Sequence, residues 1–397
     1  MQLKLGTDVY AARMAAVRVR LGERGLDALY LSSPVDIFYV AGCPLSTTER
    51  PIALLIPLRG EPVLLIPCLE REHAREVAPH IKELCEYFEY PGLTPPVAVF
   101  AERIRRLGLG AARIGIDRPA AGGMGYQGPT LSGYLPQAEF VPAGDLVLGM
   151  RLVKSDLEVE YFRESAAWGT KALHALKQAA TPGRSEIEVG MEVSCAVTRE
   201  LLQALGPDYM FVFGFGYGPA FAVFSCGEAT AYPHPIDLNR TIKPGDTIIC
   251  GLGATIGGYN AELERTLFVG EPSPEKRRYF ELAREIQEFA ITTLRPGRAA
   301  ADAETEIRRF IAGRGCLDMV RHRTGHGLGL EIHEPPWIDE GERTVLEPGM
   351  LVSCEPGLYV PGLCGFRHSD TVLITAAGPE VLTRAAAKDL ESMIIHY

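Results

Sequence analysis

The sequence predicts an α/β protein of the α+β kind: a mixed α/β domain over residues 1–153, then a second domain over 154–397 made of two similar halves. Three observations carry this expectation. The first part alternates helix-like and strand-like segments, as an α/β unit does. The texture changes near residue 153, where a long amphipathic helix begins. Beyond it, one order of elements occurs twice. The chain has 397 residues, 47% hydrophobic and 23% charged, which suffices for two cores without covalent staples.

The elements follow in order. Tyr10, Met14, Val17 and Leu21 recur at helical spacing and predict a helix near 8–25. The apolar runs DALYLSS, DIFYVAG, IALLIPL and PVLLIP read as strands, followed by helices from Cys68 to His80 and in AVFAERIRRLG, and by a strand in RIGID. After Ser155, Val159, Phe162, Ala166, Gly169, Leu173 and Leu176 step along one helical face. The run MFVFGFGYGPAFAVF is too short and too broken by glycine to span a bilayer, and reads as buried strand and loop.

The repeat is legible as strings. TPGRSEIEVGMEV and RPGRAAADAETEI each put Pro-Gly-Arg ahead of a helix, with Ser185 and Glu188 forming a capping box in the first. KPGDTIICGLG and EPGMLVSCEPG then each open a strand. Setting Cys250 on Cys354 pairs Gly251 with Glu355, and a shift in the hairpin loop pairs Glu262 with Ser369. Two such hairpins predict a pseudo-twofold domain whose centre collects side chains.

Net charge is -10, from 50 acidic and 40 basic residues without long runs, so there is no cationic stripe for nucleic acid or anionic lipid. The N-terminus lacks the pattern of an export signal, and the expectation is a cytoplasmic protein. Nine cysteines occur without a CxxC spacing and read as small buried apolar residues.

Five clusters fall near the expected centre: His234 in AYPHP; Glu262 and Glu264 in NAELERTLF; His326 and His333 in RTGHGLGLEIHEPP; Glu355 in SCEPG; and His368, Ser369 and Asp370 in GFRHSD. Glu262 and Glu264, two apart on a strand, face the same way. His326 stands between glycines, where a backbone approaches something closely. A carboxylate such as Glu355, at the end of an apolar strand, requires a partner. His73, His80, His174, His322 and His396 read as surface or packing residues.

The strings KPGD, GGY with ERT, GHGLG, HEPP, EPGLY and GFRHSDTVLIT together resemble the pita-bread superfamily of creatinase, aminopeptidase P, prolidase and methionine aminopeptidase. The resemblance covers essentially the whole chain. It implies a creatinase/prolidase-type N-terminal domain, a C-terminal pita-bread domain, and a homodimer in which one subunit's N-terminal domain closes over the other's site. The five metal-ligand positions of metal-dependent members fall on Gly251, Glu262, His326, Glu355 and Ser369, so two ligands of a dinuclear centre are missing. Creatinase lacks metals and shares the LERTLF string. By that resemblance His234 is the proton-shuttling base, Glu264 and Glu355 hold a guanidinium or amidinium with Glu262 nearby, and Arg50 binds the substrate carboxylate from the partner subunit. His326 and His333 position water or substrate, and His368 and Tyr259 join the substrate-binding set. The leading expectation is therefore a hydrolase of a C–N bond in a small cationic or zwitterionic compound such as a creatine- or ectoine-like acid, with no cofactor. A second is an Xaa-Pro dipeptidase or aminopeptidase with one divalent ion, such as Mn or Zn, on Glu262, His326 and Glu355. A third is a non-catalytic binding protein on the same fold.

Overall fold

The computed structural model describes residues 5–46, 48–118, 126–214, 218–234 and 239–397. It divides into two compact units, Met1–Arg151 and Leu152–Tyr397. The first holds a mixed six-stranded sheet of β1 (Ala28–Leu31), β2 (Ala53–Pro57), β3 (Val63–Pro67), β4 (Glu83–Tyr87), β5 (Arg113–Ile116) and β6 (Glu139–Pro142), in the order β4-β3-β2-β1-β5-β6. The strands β1, β2 and β3 pair antiparallel and the outer ones parallel. Fully buried Tyr30, Leu55, Leu65, Phe100, Ile104 and Ile114 form one core between the sheet and the helix Pro96–Arg106.

DIFYVAG is not a strand. It lies in the helix Pro34–Ala41, with Ser33 as N-cap accepting from the Asp36 amide, Pro34 in the first turn, and Gly42 at φ 67° closing the C-terminus. Cap chemistry at both ends outweighs the β-like composition of the run.

In the second unit, α1 (Asp156–Ala179) starts on the capping box of Ser155 and Glu158, and α2 (Glu186–Leu205) follows. Ser185 caps α2 through the Glu188 amide. Then come β7 (Ala220–Cys226), β8 (Thr247–Ile256), β9 (Tyr259–Asn260) and β10 (Leu263–Val269). The second half contributes α3 (Pro274–Thr293), α4 (Ala300–Gly313), β11 (Gly325–Gly327), β12 (Glu334–Ile338), β13 (Leu351–Cys354), β14 (Gly357–Val360), β15 (Cys364–Arg367), β16 (Asp370–Thr375), β17 (Gly378–Val381) and β18 (Ile394–Ile395). Two sheets result, β18-β10-β8-β7 and β12-β11-β13-β16-β17, beside the hairpin β14-β15. The free edge of β7 is covered by α2: Ser194 Oγ accepts from the Ala222 amide (2.9 Å), Thr198 Oγ1 from the Ala220 amide (3.2 Å), and Glu186 from the Cys226 amide (3.2 Å).

A backbone bridge joins the two sheets, where Glu264 and Ser369 exchange hydrogen bonds of 3.1 and 3.0 Å. Register corrects the expected repeat. Cys250 pairs with Arg265, and Cys354 with Asp370. The counterpart of Ser369 is therefore Glu264, and that of Glu262 is Arg367. The opposite strand faces carry a buried network in which Arg265 pairs with Asp370 (2.8 Å), joined by Gln287 (2.8 Å), Thr383 (2.7 Å) and Lys388 (3.2 Å). This network ties both halves together behind the site.

Candidate active site

Each acidic side chain at the centre is fixed by backbone first. Glu262, just before β10, gives its amide to Thr371 Oγ1 (2.8 Å) and its carbonyl accepts from the same hydroxyl (2.9 Å). Glu355, just past β13, gives its amide to the Thr324 carbonyl (2.8 Å). His326 on β11 gives its amide to Ser353 Oγ (3.1 Å). Its flanking glycines are required: a Cβ at Gly325 would lie 2.0 Å from the Ser353 carbonyl oxygen, and one at Gly327 2.1 Å from that of Pro335.

His326 Nδ1 faces the Gly327 carbonyl at 3.0 Å, a bond it makes as donor. Nε2 then points at two carboxylates, 3.4 Å from Glu262 and 3.3 Å from Glu355. Burial works against charge on this ring, but the two glutamates outweigh it and raise the imidazole to about 10. Burial pushes Glu355 up, and His326 and Arg367 pull it down to about 2. Ser369, fully buried, donates to Glu262 at 2.6 Å.

Glu264 has a different partner. Arg367 grips it with Nε (2.6 Å) and Nη2 (2.7 Å), both side chains nearly buried. Burial and the neighbouring Glu355 and Glu262 charges raise Glu264 to about 8 against the pull of Arg367. Arg367 Nη1 also donates to Tyr359 Oη (3.1 Å), and that hydroxyl lies 2.8 Å from His322 Nε2, whose Nδ1 meets the Arg323 carbonyl (2.8 Å). The sequence reading passed over Arg367, Tyr359 and His322. The available signal was parity: Arg367 stands two residues from Ser369 and so shares its face. The acidic hollow expected to grip an organic cation thus already contains one, contributed by the chain itself.

The other candidates separate. His333 is exposed beside His326, ring centroids 4.0 Å apart, and burial together with the His326 charge lowers its affinity for a proton. His234 is exposed next to Pro233, whose carbonyl accepts from Arg367 Nη1 at 3.4 Å. His368 is not a substrate contact: it is fully buried, edge-on to Phe280 at 4.9 Å, and burial holds it neutral. Tyr259 is turned away as well, packing on Tyr161 and Phe162 and donating to Glu158. In the first unit Arg50 is engaged by Glu89 at 2.7 and 2.9 Å and by Glu49 at 2.7 Å. At Gly251 a Cβ would meet Val223 Cγ2 at 3.4 Å and Glu264 Oε1 at 3.8 Å, ordinary contact distances.

Residues 160–376 match the model of metallopeptidase family M24, and residues 13–153 that of the creatinase/prolidase N-terminal domain. The chain belongs to metallopeptidase family M24. It is a hydrolase acting on C–N bonds, of the creatinase and aminopeptidase P superfamily, with the pita-bread fold. It is 29% identical to the Xaa-Pro dipeptidase of Pyrococcus furiosus over 92% of this chain and 95% of that one. It is 30% identical to the probable dipeptidase PepE of Mycobacterium tuberculosis over 94% of each. The dipeptidase PepE structure from Mycobacterium ulcerans superposes with a TM-score of 0.82 at 28% identity, covering 99% of both chains. Membership of a metallopeptidase family, among relatives named as Xaa-Pro dipeptidases, overturns the expectation of a creatinase-like site with no cofactor.

The donors fit an ion. Ligand atoms of Glu262, His326 and His333, and of Glu262, Glu264 and Glu355, lie within 4.8 Å of one another. Arg367 Nη2 bonds Glu264 Oε1, leaving Oε2 without an aligned hydrogen bond, and the Glu262 and Glu355 carboxylates converge on His326 Nε2. Among the described residues no helix is long and apolar enough to cross a membrane.

Proposed function

We propose that the chain is a dipeptidase of the Xaa-Pro type that uses one divalent ion held by Glu262, His326 and Glu355. One observation carries this reading: His326 Nε2 lies 3.4 and 3.3 Å from two carboxylates without an aligned hydrogen bond to either. Three protein donors with open positions suit a catalytic ion, and Gly251 and Ser369 supply no carboxylate for a second. When bound, the ion polarises the peptide carbonyl and activates water. The chain's own residues then have distinct tasks. Ser369 orients Glu262, the Gly327 carbonyl fixes the His326 tautomer, and Arg367 keeps Glu264 out of the donor set. In this reading the exposed His333 and His234 meet the peptide ends and return a proton to the leaving nitrogen. A cytoplasmic homodimer belongs to this reading on the strength of the resemblance, and Arg50 enters it already paired with Glu89.

The test is elemental analysis with a chelation series on Xaa-Pro dipeptides. One ion per chain, loss of Leu-Pro hydrolysis on chelation and recovery with Mn or Zn are expected. Two ions per chain, or hydrolysis indifferent to chelator, overturns the reading.

A further inference from the structure

The hairpin that carries His326 brings a second imidazole beside it. Residues 328–333 join β11 to β12, and the pairing of those strands slips between His326, opposite Trp337, and Gly327, opposite Glu334. The loop doubles back, and the His333 ring ends 4.0 Å from that of His326, centroid to centroid. His333 is exposed, yet the next residue is anchored. Glu334 is buried and pairs with buried Lys154 at 2.9 Å, a contact that is costly to break on one side only. A Cβ at Gly329 would lie 2.1 Å from Glu334 Oε1, so glycine lets the loop close over that carboxylate. An exposed ring whose backbone is held in this way gives up little entropy on meeting a ligand.

One ring nitrogen of His333 lies within 4.8 Å of ligand atoms of both Glu262 and His326, which are as close to each other. Donors that share one ion at about 2.1 Å lie within about 4.2 Å of one another, so separations of up to 4.8 Å close by small rotamer adjustments. The cluster is marked by more than its charge. His326 Nε2, on a side chain 1% exposed, has no aligned partner and is aimed between Glu262 and Glu355, while Glu264 is engaged by Arg367. We propose that His333 is a fourth protein ligand of the ion, making a centre of two imidazoles and two carboxylates that favours zinc over manganese. The proposal rests on the one-ion reading above and adds the donor that decides which ion is kept. Imidazole suits Zn, Fe and Ni, whereas carboxylate and water suit Mg and Mn. Gly251 and Ser369 remove two oxygen donors and His333 adds a nitrogen, so the chemistry of the site moves toward the first group. The other nitrogen of this exposed ring stays free to meet a peptide end, and the two tasks are compatible.

The experiment titrates Zn and Mn separately into the chelator-treated whole chain by calorimetry, in the parent and in His333→Ala. The parent should take one ion. His333→Ala should weaken Zn by at least about 100-fold, beyond the ~10–100-fold of an outer-shell partner, and Mn by less than Zn. An independent variant, His333→Cys, is loaded with Co and should show a sulfur-to-cobalt charge-transfer absorption that the Co-loaded parent lacks, because a thiolate at this position would bind the ion directly. Urea unfolding of both ion-free variants should match the parent, since the ring is exposed. One ion in the parent, with Zn affinity of His333→Ala within about tenfold of it and no new absorption in His333→Cys, overturns the fourth ligand and leaves the one-ion reading standing. Equal losses of Zn and Mn overturn the selectivity. A parent that binds no ion, or two, overturns both readings. One ion and the cobalt absorption, without cleavage of Leu-Pro, sink the dipeptidase reading and leave the ligand in place.

Discussion

An ion can settle on His326 Nε2 only by displacing the proton that the nearby Glu262 and Glu355 charges favour there. With that ring raised to about 10, it is essentially fully protonated in the ion-free protein at pH 6.5 to 8.5. Each unit of pH in that window is then worth about 1.4 kcal/mol of ion affinity, so the two units should tighten binding about 100-fold. Glu355, held at about 2, is ionised throughout and contributes nothing to the slope. Glu264, at about 8, adds a fraction of a second proton when a dication arrives beside it. The assay is calorimetric titration of Mn into chelator-treated protein, in two buffers of different ionisation enthalpy. Release of at least about one proton per ion is expected. The same group sets a stability trend in the ion-free protein. Its folded value lies above the unfolded one of 6.5, so its contribution is complete below about pH 6.5 and is lost as pH rises through about 10. Proton release near zero, or an affinity flat in pH, would refute the placement of the ion on this nitrogen.

Four further outcomes follow from the same geometry. Arg367→Met should destabilise the chelator-treated protein by about 3–5 kcal/mol in urea unfolding, the cost of stranding one partner of a buried pair, and adding Glu264→Gln should recover part of it. Glu264→Gln alone should weaken ion binding by no more than the ~10–100-fold typical of an outer-shell partner, whereas Glu355→Gln should abolish it in the same titration; equal losses would return Glu264 to the donor set. Ser369→Ala removes a 2.6 Å bond to Glu262 and should cost about 10–100-fold in ion affinity. His368→Leu, buried against Phe280, should leave steady-state hydrolysis of Leu-Pro within about twofold, since near-isosteric apolar replacement in a core costs little.

What could be read from the sequence was what local chemistry writes down. The apolar face from Val159 to Leu176 marks the long helix, and the glycines around His326 mark a close backbone approach. Glu262, His326 and Glu355 lie far apart in sequence, yet each sits in a string distinctive enough to be placed at one centre. What escaped was parity and partnership. Counting faces by twos works along β10 and through Arg367 and Ser369, but Tyr259 follows the Gly257-Gly258 turn, both residues at positive φ, and there the count restarts. His368 lies between two site-facing residues and so points the other way. Arg367 carries no motif of its own; its signal is that three glutamates gathered in one pocket require a neutralising cation. In the helix Pro34–Ala41 the apolar composition reads as strand, while the Ser-Pro start and the glycine stop fix a helix.

The bridge between Glu264 and Ser369 has an evolutionary reading. In a domain built from a duplicated half, the residue at the seam faces its own copy, and two identical acids so placed repel each other unless a bound cation separates them. Here one copy is a serine and the other is paired with the Arg367 guanidinium, so no two carboxylates face each other across the seam.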